Sequence, residues 1–122
     1  MDCELFQDAA LTLEVSIEPT AVRVTWSGRS ISREPSKFIV RVLTHASELC
    51  HSHKKPLELD FRTFEYMNSS TITPLIRILD QAKRADSEVR ILYDRSLRWQ
   101  ELSFTALQVF ETGDGRIEIL GV

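Results

Sequence analysis

The sequence predicts an α/β sandwich with a mixed five-stranded sheet, an antiparallel hairpin running on into parallel strands, and three main helices packed largely on one face. Three observations predict it. Two alternating apolar runs lie side by side near the start of the chain, helical 3–4 spacing then takes turns with short apolar runs, and every later pair of runs is separated by a helix. Strands joined through helices pair in parallel with right-handed crossovers, whereas two runs joined by a short turn form a hairpin.

The elements follow in order. Leu11, Leu13, Val15 and Ile17 alternate with Thr12, Glu14 and Ser16, a strand with one buried face. Pro19-Thr20 turns the chain, Val22, Val24 and Trp26 alternate again, and Ser27-Gly28 ends the run. From Pro35 the spacing is helical: Phe38, Ile39, Val42, Leu43, Ala46, Leu49 and Cys50 share one face, and Pro35 suits a first turn where its missing N–H costs little. Leu57, Leu59 and Phe61 make a third strand. Ile72, Leu75, Ile76, Leu79 and Ala82 make a second helix that Asp86-Ser87 stops, and Val89, Ile91 and Tyr93 make a buried fourth strand. Trp99, Leu102, Ala106, Val109 and Phe110 are read as the apolar face of a third helix, ended by Gly113-Asp114-Gly115, before a last strand at Ile117, Ile119 and Leu120. Residues 1–122 form a single domain, with about the first nine loose, as chain ends commonly are.

Composition narrows the function. A net charge of −3, with Lys and Arg dispersed among acids, removes the electrostatic attraction on which nucleic-acid binding rests. No apolar run approaches the ~20 residues of a membrane span, and Met1-Asp2-Cys3-Glu4 is acidic where a secretory signal is basic. Two unpatterned cysteines, Cys3 and Cys50, suit a reducing cytoplasm. Enzyme chemistry finds no foothold: four glycines make no phosphate loop, no G-x-S-x-G elbow occurs, and Cys50-His51-x-His53 lacks a fourth metal ligand. No catalytic residue, metal or cofactor is predicted.

The informative segment is Asn68-Ser69-Ser70-Thr71, four small polar residues between the third strand and the second helix. Pro74 belongs in a first helical turn, so the helix starts between Ser70 and Thr73, beside unpaired N–H groups where the helix dipole favours negative charge. Such residues serve as caps and turns. They also sit where function gathers in an open α/β sheet, past a strand's carboxyl end. A phosphate there adds about −1.5 to −2 charges. The scaffold can accept that charge, and a partner forced to desolvate it cannot.

The run Leu57-Glu58-Leu59-Asp60-Phe61 through Phe64-x-x-Met67-Asn68-Ser69-Ser70 resembles the STAS domain of bacterial anti-sigma factor antagonists, whose strand leads into a D-S-S/T-G motif at a helix start. By position Asn68 matches the acid, Ser69 the phosphoacceptor with Ser70 as the alternative, and Thr71 the glycine. A STAS-like branch of small bacterial regulatory phosphoproteins is similar in Arg33-Glu34-Pro35, Met67-Asn68-Ser69-Ser70 and Trp99-Gln100-x-Leu102-Ser103-Phe104-x-Ala106-Leu107. The resemblance implies a cytoplasmic, non-enzymatic regulator that binds a protein partner in its unmodified form. It also implies a cognate Bergerat-fold serine kinase of the anti-sigma factor type and a serine phosphatase. The implied effector is a diguanylate cyclase or a sigma-factor system, with no nucleic acid and no membrane. Asn68, Thr71, Thr73 and Arg33 are expected on the switch surface, Arg33 within reach of a phosphate on Ser69 if the two loops share one sheet edge. The alternatives are a constitutive interaction module with the same fold, or a small-molecule or lipid carrier.

Overall fold

The structure, a computed structural model, describes residues 3–122. Strands run over Cys3–Asp8 (β1), Leu11–Ile17 (β2), Val22–Ser30 (β3), Leu57–Asp60 (β4), Phe64–Met67 (β5), Val89–Tyr93 (β6) and Ile117–Gly121 (β7). Helices span Ser36–His53 (α1), Ile72–Arg84 (α2) and Arg98–Ala106 (α3), with short 3-10 turns at Ser69–Thr71 and Leu107–Phe110. The sheet runs β1-β2-β3-β4-β6-β7, the first two pairs antiparallel and the rest parallel. Beyond β2 the strands follow chain order, so crossovers of one hand lay every connecting helix on the same face.

The sheet has seven strands where five were expected. Residues 3–8, expected to be loose, form β1, paired with β2 from Cys3↔Ser16 to Asp8↔Leu11. Phe6 stands opposite Leu13 and packs on the core, and Glu4 bonds His45 of α1 at 2.7 Å. Met1 and Asp2 lie outside the described residues. The second addition is β5, which continues the line of β4 after a three-residue interruption at Phe61–Thr63 and pairs only with β3, in parallel. To meet it β3 runs on past Trp26 to Ser30, and its register shifts at Gly28. Gly28 has φ +80° and lies so close to the Ala10 carbonyl oxygen that no Cβ would fit.

Across β2, β3, β4 and β6 the helix-facing side of the sheet is apolar: Leu13, Val24, Leu59 and Ile91 are sealed against Ile39, Leu43, Leu75 and Leu79. At the carboxyl end of the parallel strands, aromatic rings fill the core. Trp26 lies 4.7 Å from Phe61, Phe61 4.6 Å from Phe104, and Phe104 stacks on Tyr93 at 5.5 Å between centroids. The face predicted for α3 is corrected here. Leu102 and Val109 are 65 % and 76 % exposed, and the buried stripe is Gln100, Phe104 and Leu107. Trp99 and Phe110 of the predicted stripe do pack on the core, whereas Phe104 enters the ring cluster and Leu102 and Val109 turn outward.

The opposite face of the sheet is polar. Arg23 meets Glu58 at 2.6 Å, and Arg90 lies between Glu58 and Glu118 at 3.9 and 3.6 Å. Asp60 is clasped by Arg62, Nε to Oδ1 at 3.0 Å and Nη2 to Oδ2 at 2.8 Å, with the Arg62 backbone N–H adding a third bond. Burial alone would push the Asp60 carboxyl up; these bonds outweigh it and hold the group below the usual carboxylate range.

Candidate functional site

The site is built where β5 ends. Asn68 is extended (φ −80°, ψ 171°), its N–H donating to the Ser30 carbonyl at 3.0 Å, so the chain leaves β5 still attached to β3. It then winds into the 3-10 turn, the Thr71 N–H donating to the Asn68 carbonyl at 3.1 Å, and α2 follows from Ile72. Pro74, buried, is the third helical residue and brings no N–H into that first turn.

Side chains divide sharply along these four residues. Asn68 is a clip: its Nδ2 donates to the Ser32 carbonyl at 2.8 Å and its Oδ1 accepts from the Thr71 hydroxyl at 2.9 Å. Thr71 is fully buried, its Oγ1 also 2.7 Å from Ser30 Oγ, itself buried. Thr71, expected on the switch surface, is therefore moved inside. Its methyl and hydroxyl fill the space beneath the turn rather than crowding an approaching partner. Ser69 and Ser70 are exposed, and among the described residues neither hydroxyl makes a hydrogen bond or caps a helix. Thr73 is exposed on the first turn of α2.

Asn68 also brings in the segment after β3. By holding the Ser32 carbonyl it ties the loop of Arg33 and Glu34, both exposed, to the turn that bears the serines. The two loops thus share one end of the sheet. Next to them Arg29 and Tyr66, paired across β3 and β5, stack with the guanidinium 5.2 Å from the ring. Ile31 and Ile76, 52 % and 39 % exposed, add apolar surface on the same loop and on α2. Arg29, Arg33 and Arg77 form no ion pair among the described residues.

A residue that sequence reasoning missed braces the site from behind. Gln100, buried on α3, donates through Nε2 to the carbonyls of Phe61 and Phe64, at 2.6 and 2.9 Å, and accepts the Asp94 N–H at 2.7 Å. It thereby supports the interruption that lets β5 form. Its signals were its place in the Trp99-Gln100-x-Leu102 run and its helical spacing from Phe104 and Leu107, neither of which gives its bracing role.

At the other end of the molecule, a cavity of about 660 Å³ opens between the C-terminal ends of α1 and α2, with Cys50, Ile78 and Leu57 in its wall. Burial pushes the Cys50 thiol up to about 11, so it is protonated at neutral pH. His51 and His53 are exposed in the last turn of α1. Among the described residues no three His, Cys, Asp or Glu side chains gather as a metal-binding group, and no helix is long and apolar enough to cross a membrane.

Compared with known proteins, residues 7–95 match the family model described as SiaC family regulatory phosphoprotein. That span holds the hairpin, the site and the first two crossovers. Among curated proteins, none matches the sequence.

Proposed function

Because the chain belongs to the SiaC family of regulatory phosphoproteins, we propose that it is a docking module switched by phosphorylation of Ser69, with Ser70 the alternative acceptor. In its unmodified form it binds a protein partner over the exposed turn, Thr73 and the Arg33 loop. A Bergerat-fold serine kinase moves the γ-phosphoryl group of ATP to the serine Oγ, which gives up its proton, and a serine phosphatase hydrolyses the ester. The effector released is of the diguanylate cyclase or sigma-factor kind. The work is done in the cytoplasm by binding alone.

One observation supports this reading above the others: Ser69 presents a hydroxyl free of internal bonds on a turn that Asn68 and Thr71 anchor. A kinase can take that hydroxyl without breaking a contact of the fold. The added charge would lie beside the first turn of α2, where backbone N–H groups favour anions, and near the loop of Arg33. A partner seated over the same spot would have to desolvate it.

The test uses trypsin, whose cuts after Arg62 and Arg77 release residues 63–77 with both serines. Mass spectrometry of the protein from its native cell should show that peptide phosphorylated, with fragment ions assigning Ser69. Partner capture should then persist in Ser69→Ala and fail in Ser69→Asp. A peptide that never carries phosphate, with both variants binding like wild type, would leave a constitutive module instead.

A further inference from the structure

Taking the docking role above as given, we propose that the partner docks through an acidic segment, with apolar side chains among its carboxylates, on the starts of α1 and α2 beside the serine turn. β3, β4 and β6 are parallel neighbours. The helices that join them, α1 and α2, therefore run the same way and begin together at the end of the sheet that carries Ser69.

Charge is segregated there. Residues 29–47 hold Arg29, Arg33, Lys37 and Arg41 against one acid, Glu34, and residues 68–79 hold Arg77 and no acid. The two stretches together carry +4, whereas the whole chain carries −3. Arg33, Lys37, Arg41 and Arg77 are exposed, and among the described residues none of them forms an ion pair. On the polar face of the sheet, by contrast, Arg23, Arg62 and Arg90 are all paired.

The placement runs against what the fold prefers. A helix start favours acids and disfavours cations, yet Lys37 stands in the first turn of α1 and neither helix has an acid in its first turn. The first acid of α1 is Glu48, about three turns in, and the first of α2 is Asp80, about two turns in and held by Arg84 at 3.2 Å. A local preference broken without gain to the fold marks a surface kept for another use.

The occupant is the complement of that surface. Cations without partners call for carboxylates, and Ile31 and Val40, 52 % and 38 % exposed and set among them in the sequence, call for apolar side chains. A nucleic acid is the other polyanion, but its charge would continue past the patch onto a chain that is otherwise acidic, and it has no use for the two apolar residues. The same complement fits the sign of the switch. A phosphate on Ser69 would repel the segment's carboxylates and compete for the same cations.

Photo-crosslinking of the whole chain in its native cell tests this. Benzoylphenylalanine is placed at Val40 and, separately, at Ser70, and after irradiation the attached peptide is sequenced by mass spectrometry. The expected peptide at Val40 is acidic, with roughly three or more carboxylates and a large apolar residue within about ten positions. Lys37→Glu should cut its yield more than about fivefold at roughly 0.1 M salt. That variant should melt no lower than wild type, since glutamate suits a first turn, so lost attachment is not lost folding. Lys83→Glu, the same charge change in the last turn of α2, should leave the yield as it is. A neutral or basic peptide at Val40, attached nucleic acid, or a yield indifferent to Lys37→Glu overturns the proposal. Attachment at Ser70 but not at Val40 overturns it and leaves the docking role standing; attachment at neither position removes both.

Discussion

The side-chain amide of Asn68 donates to the carbonyl oxygen of Ser32 at 2.8 Å, fastening the turn that bears two exposed serines to the loop that bears Arg33. The bond requires a donor. An aspartate, the residue at this place in the motif that the segment resembles, would turn a second oxygen toward a carbonyl. Asn68→Asp is therefore expected to cost about 1–3 kcal/mol and to loosen the Arg33 loop, read as a lower urea midpoint and faster amide exchange over residues 31–35.

Ser30 and Thr71 share a buried hydrogen bond of 2.7 Å. Removing the Thr71 hydroxyl strands Ser30 Oγ in the core, whereas Thr71 keeps its bond to Asn68 Oδ1 when Ser30 is lost. Ser30→Ala or Thr71→Val alone should each destabilise by about 1–2 kcal/mol, and the double variant by less than the sum, because an unpaired buried group costs more than a lost pair. Thermal unfolding of the four proteins completes the cycle.

Asp60 sets a pH dependence. Its carboxyl is held below its ordinary value of about 4, so its stabilisation is fully present above that pH and is lost as pH falls through the folded-state value. Stability should decline as pH drops below about 4, and Asp60→Asn should flatten part of that decline while lowering stability at pH 7. Denaturant titrations across the acid range measure both.

Ser69→Asp should leave the fold untouched. The side chain is exposed and makes no hydrogen bond among the described residues, so the change in unfolding free energy should stay within about 0.5 kcal/mol. A loss of partner binding in a protein of unchanged melting temperature separates a spoiled docking surface from a spoiled scaffold.

Much of this was legible before any coordinates. The order of strands and helices followed from changes in apolar spacing, because each helix must cover a strand face. The start of α2 was bracketed by Pro74, which tolerates only a first turn. Other features left little trace. β1 escaped because Leu5 and Phe6 are adjacent and face opposite sides, which breaks the alternation of a half-buried strand. β5 escaped because Arg62-Thr63 reads as the end of a strand, and only Gln100, 36 residues away from Phe64 in sequence, shows that the strand resumes. Within the site, the residue types of Asn68 through Thr71 were informative, but their directions were not. Nothing local says that Thr71 turns inward while Ser69 and Ser70 turn out, since that depends on the Ser30 hydroxyl arriving from β3.

The division of labour within these four residues has an evolutionary corollary. Anchoring rests on the first and the last, and the middle two are left facing outward without a bond among the described residues. The middle pair is then at liberty to drift, to threonine for a different kinase or to a residue that no kinase recognises, while the fold stays as it is. On the proposed reading, exchanging a single outward hydroxyl would change which enzyme the protein answers to, with no retuning of the interior.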